Sequence, residues 1–278
     1  MQETFDMIEK FISDNEHRFS QDTQKSYRDE LNRFFVSTQI GYEKLTENDI
    51  YKWMEKLVER GLKAKTVYCR LICLKSFFKY LREEGLVYES PLDDIDMPKV
   101  EDTLPCYLER DQLQELRELV KDDPLERAIV ETLYATGVRS GELVGLKKND
   151  VNWDSKQIIV RDGKGQKDRI VFFTDECAQR LKEYLKGRSD NYPHLFIGKK
   201  GKPFYRGALR HYFEKYTKKL GYRITAHMMR HTFAAHLAEK GMSFSNIQKL
   251  LGHKMMKSTR IYTLLFTHAQ KRKYDYYM

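Results

Sequence analysis

The chain changes character near residue 90, and this change limits the folds open to it more than any other feature of the sequence. Residues 3–84 carry apolar side chains at helical spacing, whereas residues 90–105, SPLDDIDMPKVEDTLP, hold three of the six prolines and several acids. Prolines interrupt helices, and segments rich in proline and charge are typical of linkers. The sequence therefore predicts two domains, 1–90 and 105–278, joined by a linker at 91–104.

The first domain is predicted to be a compact helical bundle. Ser20 precedes the second apolar pattern, and Thr46 is followed three residues later by Asp49; both are typical of helix starts. Cys69 and Cys73 lie one turn apart within an apolar pattern, which predicts core positions for both. Each helix carries an apolar face that needs a partner. The predicted helices span residues 3–15, 21–37, 46–60 and 63–84.

The second domain is predicted to mix helices with a small sheet. Residues 156–173, KQIIVRDGKGQKDRIVFF, alternate apolar and polar positions on both sides of Gly163-Lys164-Gly165, which is typical of a β-hairpin with a glycine turn. Predicted helices span residues 109–121, 124–136, 139–146, 175–187, 205–220, 225–240, 243–252 and 256–266.

The composition narrows the class of protein. With 41% hydrophobic and 33% charged residues, the chain is expected to be globular rather than disordered. No apolar run approaches the ~18 residues of a spanning helix, and no signal peptide is visible, so a cytoplasmic, nucleoid-associated protein without membrane contact is expected. Four cysteines without a CxxC pair indicate neither a zinc ribbon nor a disulfide framework. The net charge of +9 favours a polyanionic partner such as nucleic acid.

Five fragments in fixed order carry the most specific signal. They are ATGVRSGEL (135–143), GKGQKDR (163–169), AHMMRHTFAAHL (226–237), LLGH (250–253) and STRIYT (258–263). Together they resemble the catalytic domain of the tyrosine site-specific recombinase and integrase family, over about residues 102–265. The first 100 residues resemble the family's DNA-gripping domain in outline only. The chain starts almost directly with this domain, so a compact, Xer-like member without an arm-binding domain is expected.

The resemblance implies both a fold and a set of site residues. The fold is mainly α with a small β-sheet: an N-terminal helical bundle of the SAM-like core-binding type, followed by an α+β tyrosine recombinase catalytic domain. Glu142 matches the acidic residue that supports the site. The catalytic positions matched by the family motifs are Arg139, Lys164, His227, Arg230, His253 and the nucleophile Tyr262.

These residue types also suit the chemistry. A phosphodiester gains negative charge in its transition state, and guanidinium groups such as Arg139 and Arg230 match that charge bidentately. Such preorganised donors are each worth roughly 3–4 kcal/mol of barrier. Ionising a phenol of pKa near ~10 at neutral pH costs about 4 kcal/mol, so Tyr262 needs a proton acceptor, and His227 fits. Lys164 fits the general acid for the leaving oxygen. No metal, ATP or other cofactor is expected.

Simpler explanations exist for several of these residues. Taken alone, Lys164 would be an ordinary exposed turn lysine. His227 and His231 have a possible metal-ligand spacing, but Arg230 lies between them and no glutamate follows His227, so metal binding is disfavoured. Tyrosines 274, 276 and 277 compete with Tyr262 as nucleophile. His231 and His236 fit structural roles.

Basic residues outside the motifs could hold DNA, although a solvated helix face explains each of those on the first domain's helices equally well. The candidates are Lys25, Arg28, Lys63, Lys65, Arg70, Lys75, Lys167 and Arg169.

The implied function is site-specific DNA recombination through a 3′-phosphotyrosine intermediate and a Holliday junction. The implied partners are double-stranded DNA at a specific site, a homotetramer on two such sites, and an accessory DNA-bending protein. The role could be that of a Xer recombinase, a transposon or plasmid resolvase, or an integrase. Two alternatives stay open: a type IB topoisomerase, which shares the tyrosine chemistry, and a non-catalytic DNA-binding regulator.

Overall fold

A computed structural model of the chain describes residues 1–101, 105–161, 168–198 and 201–252, together with 263, 266–267, 270–271, 274–275 and 277–278. The chain divides into two compact units, Met1–Glu101 and Asp102–Met278. The domain boundaries expected from the sequence, at 90 and 105, remain predictions. Within the described residues, each helix is too short or too polar to span a lipid bilayer.

The first unit is a helical bundle whose helices begin close to where the sequence predicts. Ser20 accepts a hydrogen bond from the backbone of Thr23 at the start of α2, and Thr46 and Asp49 form a capping box at the start of α3. The helices are α1 (Gln2–Asp14), α2 (Gln21–Thr38), α3 (Glu47–Glu59) and α4 (Ala64–Glu83).

An aromatic and aliphatic core holds this unit together. Phe77 of α4 is fully buried, and its ring meets the edges of Phe11 and Phe35 with centroids 5.6 and 5.9 Å apart. Leu92 and Ile95, in the segment predicted as a linker, are also buried in this core. Edge-to-face ring pairs add to the apolar burial that stabilises the bundle.

One cysteine prediction in this unit is wrong. Cys73 is buried as expected, but Cys69 is exposed. Cys69 lies two residues from both Val67 and Leu71, which places it on the opposite side of α4 from those buried side chains. The second half of α4 buries a wider face than the first half, and this wider face includes Cys73.

The second unit combines helices with a small antiparallel sheet. α6 is the central helix and packs against both α8 and α10. Asp123 caps α6 at its start, and Gly137, with φ +62°, ends it in the left-handed conformation. The helices are α5 (Arg110–Leu119), α6 (Pro124–Thr136), α7 (Ser140–Gly145), α8 (Asp175–Lys186), α9 (Arg206–Leu220), α10 (Ala226–Glu239) and α11 (Phe244–Leu251).

The sheet contains β1 (Val151–Asn152), β2 (Gln157–Val160) and β3 (Arg169–Phe172), in the order β1-β2-β3. β2 and β3 pair antiparallel with Val160 opposite Arg169, as the alternating pattern predicts. The turn between them, and the predicted helix at 256–266, fall mainly on residues outside the described ranges. The sheet and helices match the mainly α fold with a small sheet expected from the sequence.

Candidate active site

The start of α7 presents an exposed arginine that is held by its own helix. Arg139 precedes the first residue of α7, and its backbone N–H donates to Glu142 Oε2 at 2.6 Å. Its guanidinium donates to Glu142 Oε1 at 2.9 Å, while the side chain stays 44% exposed. Glu142 thus fixes both the backbone and the side chain of Arg139, and the cation remains accessible to a ligand.

Glu142 also binds an arginine of the sheet. Arg169 of β3 donates to both Glu142 carboxylate oxygens at 2.8 Å, in a bidentate pair that is largely buried on both sides. Burial alone would raise the pKa of Glu142, but the hydrogen bonds from Arg169 and Arg139 lower it to about 2. Glu142 is therefore a fixed anion that links two arginines.

The predicted DNA contact of Arg169 stays a prediction, and the fold gives its side chain partners within the protein. Its side chain is 15% exposed, its terminal nitrogens bind Glu142, and its Nε donates to Leu250 O at 3.3 Å. With so little of its side chain exposed, Arg169 is less accessible to a DNA phosphate than Arg139, which shares Glu142 but is 44% exposed. The alternating sequence pattern already indicated that Arg169 points inward, because it shares its strand face with Val171 and Phe173, which are buried.

Helix α10 contributes a histidine and an arginine with opposite exposure. Thr225 caps the helix by accepting from the backbone of Met228. His227, in the first turn, is exposed, whereas Arg230 is 1% exposed. The guanidinium of Arg230 donates to Gly137 O and to Leu251 O, both at 2.7 Å. Arg230 therefore joins the end of α6 to the end of α11.

His227 lies within the field of both arginines. Partial desolvation lowers its pKa, and the positive charges of Arg230 and Arg139 lower it further. Its ring meets that of His231 edge-on, with centroids 4.3 Å apart. At neutral pH His227 is therefore uncharged and able to accept a proton. Arg139, which is far away in sequence, therefore forms one cluster with His227 and Arg230 of α10.

Two further histidines of α10 are buried, as expected for structural residues. His231 is 7% exposed, and His236 Nδ1 lies 3.1 Å from the hydroxyl of Tyr134. Among the described residues, no group of three or more histidine, cysteine, aspartate or glutamate side chains is placed to hold a metal ion.

A basic cavity adjoins this cluster and was not foreseen from the sequence. It measures about 620 Å³ and lies beside His227 and Ser140. Arg206 reaches Gly141 so closely that a Cβ added there would lie 2.3 Å from a guanidinium nitrogen. The signal was a stripe of charged residues at four-residue spacing on α9. The basic residues lining the cavity are Arg206, Arg210, Lys218 and Arg223.

The predicted DNA contacts of the first unit fall into two groups. Lys25, Lys63 and Lys65 are exposed, and Lys75 is half-buried. The other two predicted contacts have carboxylate partners within the bundle: Arg28 Nε lies 2.7 Å from Glu9, and the largely buried Arg70 lies 3.4 Å from Glu30. Arg28 and Arg70 fit contacts between the side chains of this bundle better than contacts with a phosphate.

Four predicted site residues lie outside the described residues. They are Lys164, Lys167, His253 and Tyr262. The described parts of the site border their positions in the chain: β3 begins five residues after Lys164, and α11 ends two residues before His253.

Comparison with known proteins agrees with this arrangement. Residues 107–268 match the phage integrase family, and residues 9–85 match the N-terminal SAM-like domain of phage integrases. Tyrosine recombinase XerA of Pyrococcus horikoshii is 34% identical over 266 residues, which cover 94% of this chain and 90% of that protein.

Two solved structures extend the similarity to the fold. A crystal structure of XerA recombinase is 31% identical, with a TM-score of 0.58, and the match covers 99% of this chain and 98% of that one. The Tn1549 transposon integrase, in complex with circular intermediate DNA, is 25% identical with a TM-score of 0.75, and the match covers 92% and 94% of the two chains. The topoisomerase and regulator alternatives find no support in these similarities. The chain therefore belongs to the phage integrase family and is a tyrosine recombinase, a DNA strand transferase that performs site-specific DNA recombination.

Proposed function

We propose that the chain cuts and rejoins double-stranded DNA at a specific site, with Tyr262 as the nucleophile and the Arg139–His227–Arg230 cluster around the target phosphate. The observation that carries this proposal is the convergence of Arg139, at the start of α7, with His227 and Arg230 of α10. This is the set of charges that a phosphoryl transition state requires.

The first step forms a covalent intermediate. The Tyr262 phenolic oxygen attacks phosphorus, and its proton passes to His227, whose lowered pKa keeps it neutral. Arg139 and Arg230 stabilise the negative charge on the two non-bridging oxygens. The bond from phosphorus to the 5′ oxygen breaks, and Lys164 supplies the proton to that oxygen. His253 would hydrogen-bond the phosphate or support the nucleophile.

The second step reverses the first on another strand. The 5′ hydroxyl of the incoming strand attacks the 3′-phosphotyrosine and releases Tyr262. The phosphotyrosine keeps the energy of the broken bond, so rejoining needs no ATP. Two such exchanges, through a Holliday junction, complete recombination.

The assembly is part of the same proposal. Four protomers would act on two DNA sites, and an accessory DNA-bending protein is a further expected partner. Because the substrate is the DNA of the nucleoid, we place the protein in the cytoplasm. The tail after Tyr262 would dock on a neighbouring protomer through apolar side chains, namely Leu264, Leu265, Phe266 and the tail tyrosines Tyr274, Tyr276 and Tyr277. Deleting residues 267–278 should then weaken tetramers and recombination more than DNA binding by one protomer, and unchanged recombination would contradict the docking.

Trapping the covalent intermediate tests the proposal. Nicked duplexes tiled across the DNA around the protein's own gene prevent religation, and denaturing gels then reveal a protein–DNA adduct. The adduct is expected for the wild type and for the tail control Tyr274→Phe, and is expected to be absent for Tyr262→Phe. An adduct that survives Tyr262→Phe would place the nucleophile elsewhere, and binding without any adduct would favour a non-catalytic role.

A further inference from the structure

Arg169 is an inward-facing charge in an otherwise apolar strand face. Along β3 and the residue after it, Val171 and Phe173 are nearly fully buried, whereas Ile170 and Phe172 are about half exposed. Arg169 shares the buried side, and its side chain is 15% exposed. A buried charge is costly unless it is paired and hydrogen-bonded. Arg169 therefore needs partners that balance its charge and accept its hydrogen bonds.

The partners of Arg169 come from two other elements of the candidate site. Its two terminal nitrogens hold the Glu142 carboxylate, and Glu142 in turn holds Arg139. Its Nε donates to Leu250 O near the end of α11. One guanidinium therefore connects β3 to α7 and to the end of α11.

The backbone next to Arg169 leaves space for its side chain. Gly252, with φ +64°, ends α11, and a Cβ added there would lie 2.7 Å from Arg169 Cδ. The close approach and the left-handed backbone both favour glycine at this position. The glycine of the LGH motif thus has a packing reason that involves Arg169.

We infer that Arg169 is a positioning residue, which fixes β3, the Arg139–Glu142 pair and the end of α11 relative to one another. The inference rests on the proposed function, because it assigns Arg169 to the geometry of that reaction. Lys164 lies five residues before Arg169, and His253 directly follows Gly252. Displacing reacting groups by about 1 Å can cost about 100-fold in rate.

An arginine is needed for this role because of its shape. The planar guanidinium directs two donors at one carboxylate and a third, on Nε, at a carbonyl. A lysine is a point charge on a flexible stem, and it cannot hold both partners in one fixed geometry. A lysine at position 169 should therefore not restore the positioning role, although it carries the same charge.

The test separates positioning from folding by comparing two similar ion pairs. Arg117 and Glu131 also form a bidentate pair, with both contacts at 2.8 Å, between α5 and α6. Arg117→Met is thus the matched control for Arg169→Met. With nicked duplexes at saturating protein, we expect Arg169→Met to slow adduct formation about 100-fold, with DNA affinity within about threefold of the wild type. Arg117→Met should lower the melting temperature without slowing the adduct of the folded protein more than about threefold.

Two further variants examine how Arg169 acts. Arg169→Lys should form the adduct less than about tenfold faster than Arg169→Met, because lysine restores the positive charge but not the planar guanidinium with its fixed donors. If Arg169 acts largely through Glu142, then adding Arg169→Met to Glu142→Gln should slow cleavage much less than Arg169→Met does alone.

The outcomes distinguish this inference from the proposed function. Normal cleavage by Arg169→Met, full rescue by Arg169→Lys, or equal slowing by Arg117→Met would overturn the positioning role while the recombinase proposal stands. A wild-type protein that forms no Tyr262-dependent adduct would contradict the proposed function, and with it the positioning role.

Discussion

The buried guanidinium of Arg230 donates a 2.7 Å hydrogen bond to the carbonyl oxygen of Gly137, the residue that ends α6. A second bond of the same length reaches Leu251 O at the end of α11. These carbonyls have no partner within their own helices, and a charged donor satisfies both. The residue assigned to the phosphate clamp therefore also holds two helix ends together.

Arg230→Lys should damage both stability and cleavage. A lysine ammonium can reach one of the two carbonyls but does not span both, so we expect a loss of about 2–3 kcal/mol of stability. Cleavage of nicked duplexes should fall at least about 100-fold. Denaturation curves and adduct gels measure the two effects. Arg223→Lys, at an exposed position, is the control and should leave the stability unchanged. Wild-type stability for Arg230→Lys would contradict the bridging role.

Gly137→Ala should destabilise the second unit through two separate effects. Gly137 has φ +62°, and a Cβ there would lie 2.4 Å from Phe233 Cδ1. Gly221, at the end of α9, has φ +79° with no atom within 4 Å of an added Cβ. Gly221→Ala should therefore cost about 1 kcal/mol of backbone strain, and Gly137→Ala about 1–3 kcal/mol more through overpacking. Equal melting temperatures for the two variants would show that the Phe233 ring moves away from the added methyl group at little cost in stability.

The helices were largely predictable from local sequence. Ser20, Thr46 and Thr225 each accept a capping hydrogen bond at a helix start, and apolar spacing identified the buried faces. The β2–β3 pairing likewise follows from the alternation on both sides of the glycine turn. Such features depend on residues a few positions apart, which a single sequence displays directly.

The contacts that assemble the site were not predictable in this way. Glu142 and Arg169 are 27 residues apart, and Arg230 and Gly137 are 93 apart. No local pattern tells whether a given basic residue faces solvent, a carboxylate or a carbonyl. Arg28, Arg70 and Arg169 were assigned to DNA by charge alone, and the fold gives each of them a carboxylate partner.

Glu142→Gln should remove a pH dependence of stability. The pKa of Glu142 is about 2 in the folded chain, against an ordinary value of 4.5. The carboxylate therefore stabilises the fold fully above pH 4.5, and this contribution is lost as pH falls from 4.5 through 2. The contribution is about 3 kcal/mol. Glu183→Gln, which breaks an exposed pair with Arg180, is the control and should change stability little. Identical acid unfolding of Glu142→Gln and wild type would refute the assignment.

His227→Gln should change both the rate of cleavage and its pH profile. Desolvation and the charges of Arg230 and Arg139 hold the pKa of His227 below its ordinary 6.5, so the wild-type rate should change little from pH 8 to 7 and fall as the pH drops through the lowered pKa. Protonated His227 cannot accept the phenolic proton of Tyr262, which is why acid slows the wild type. Glutamine does not titrate, so the variant should lose this acid limb and be about 100-fold slower at pH 7.5. Single-turnover adduct formation across pH 5–8 measures both effects. His211→Gln, on the exposed side of α9, should keep the wild-type profile. If the acid limb persisted in His227→Gln, another group would be the proton acceptor.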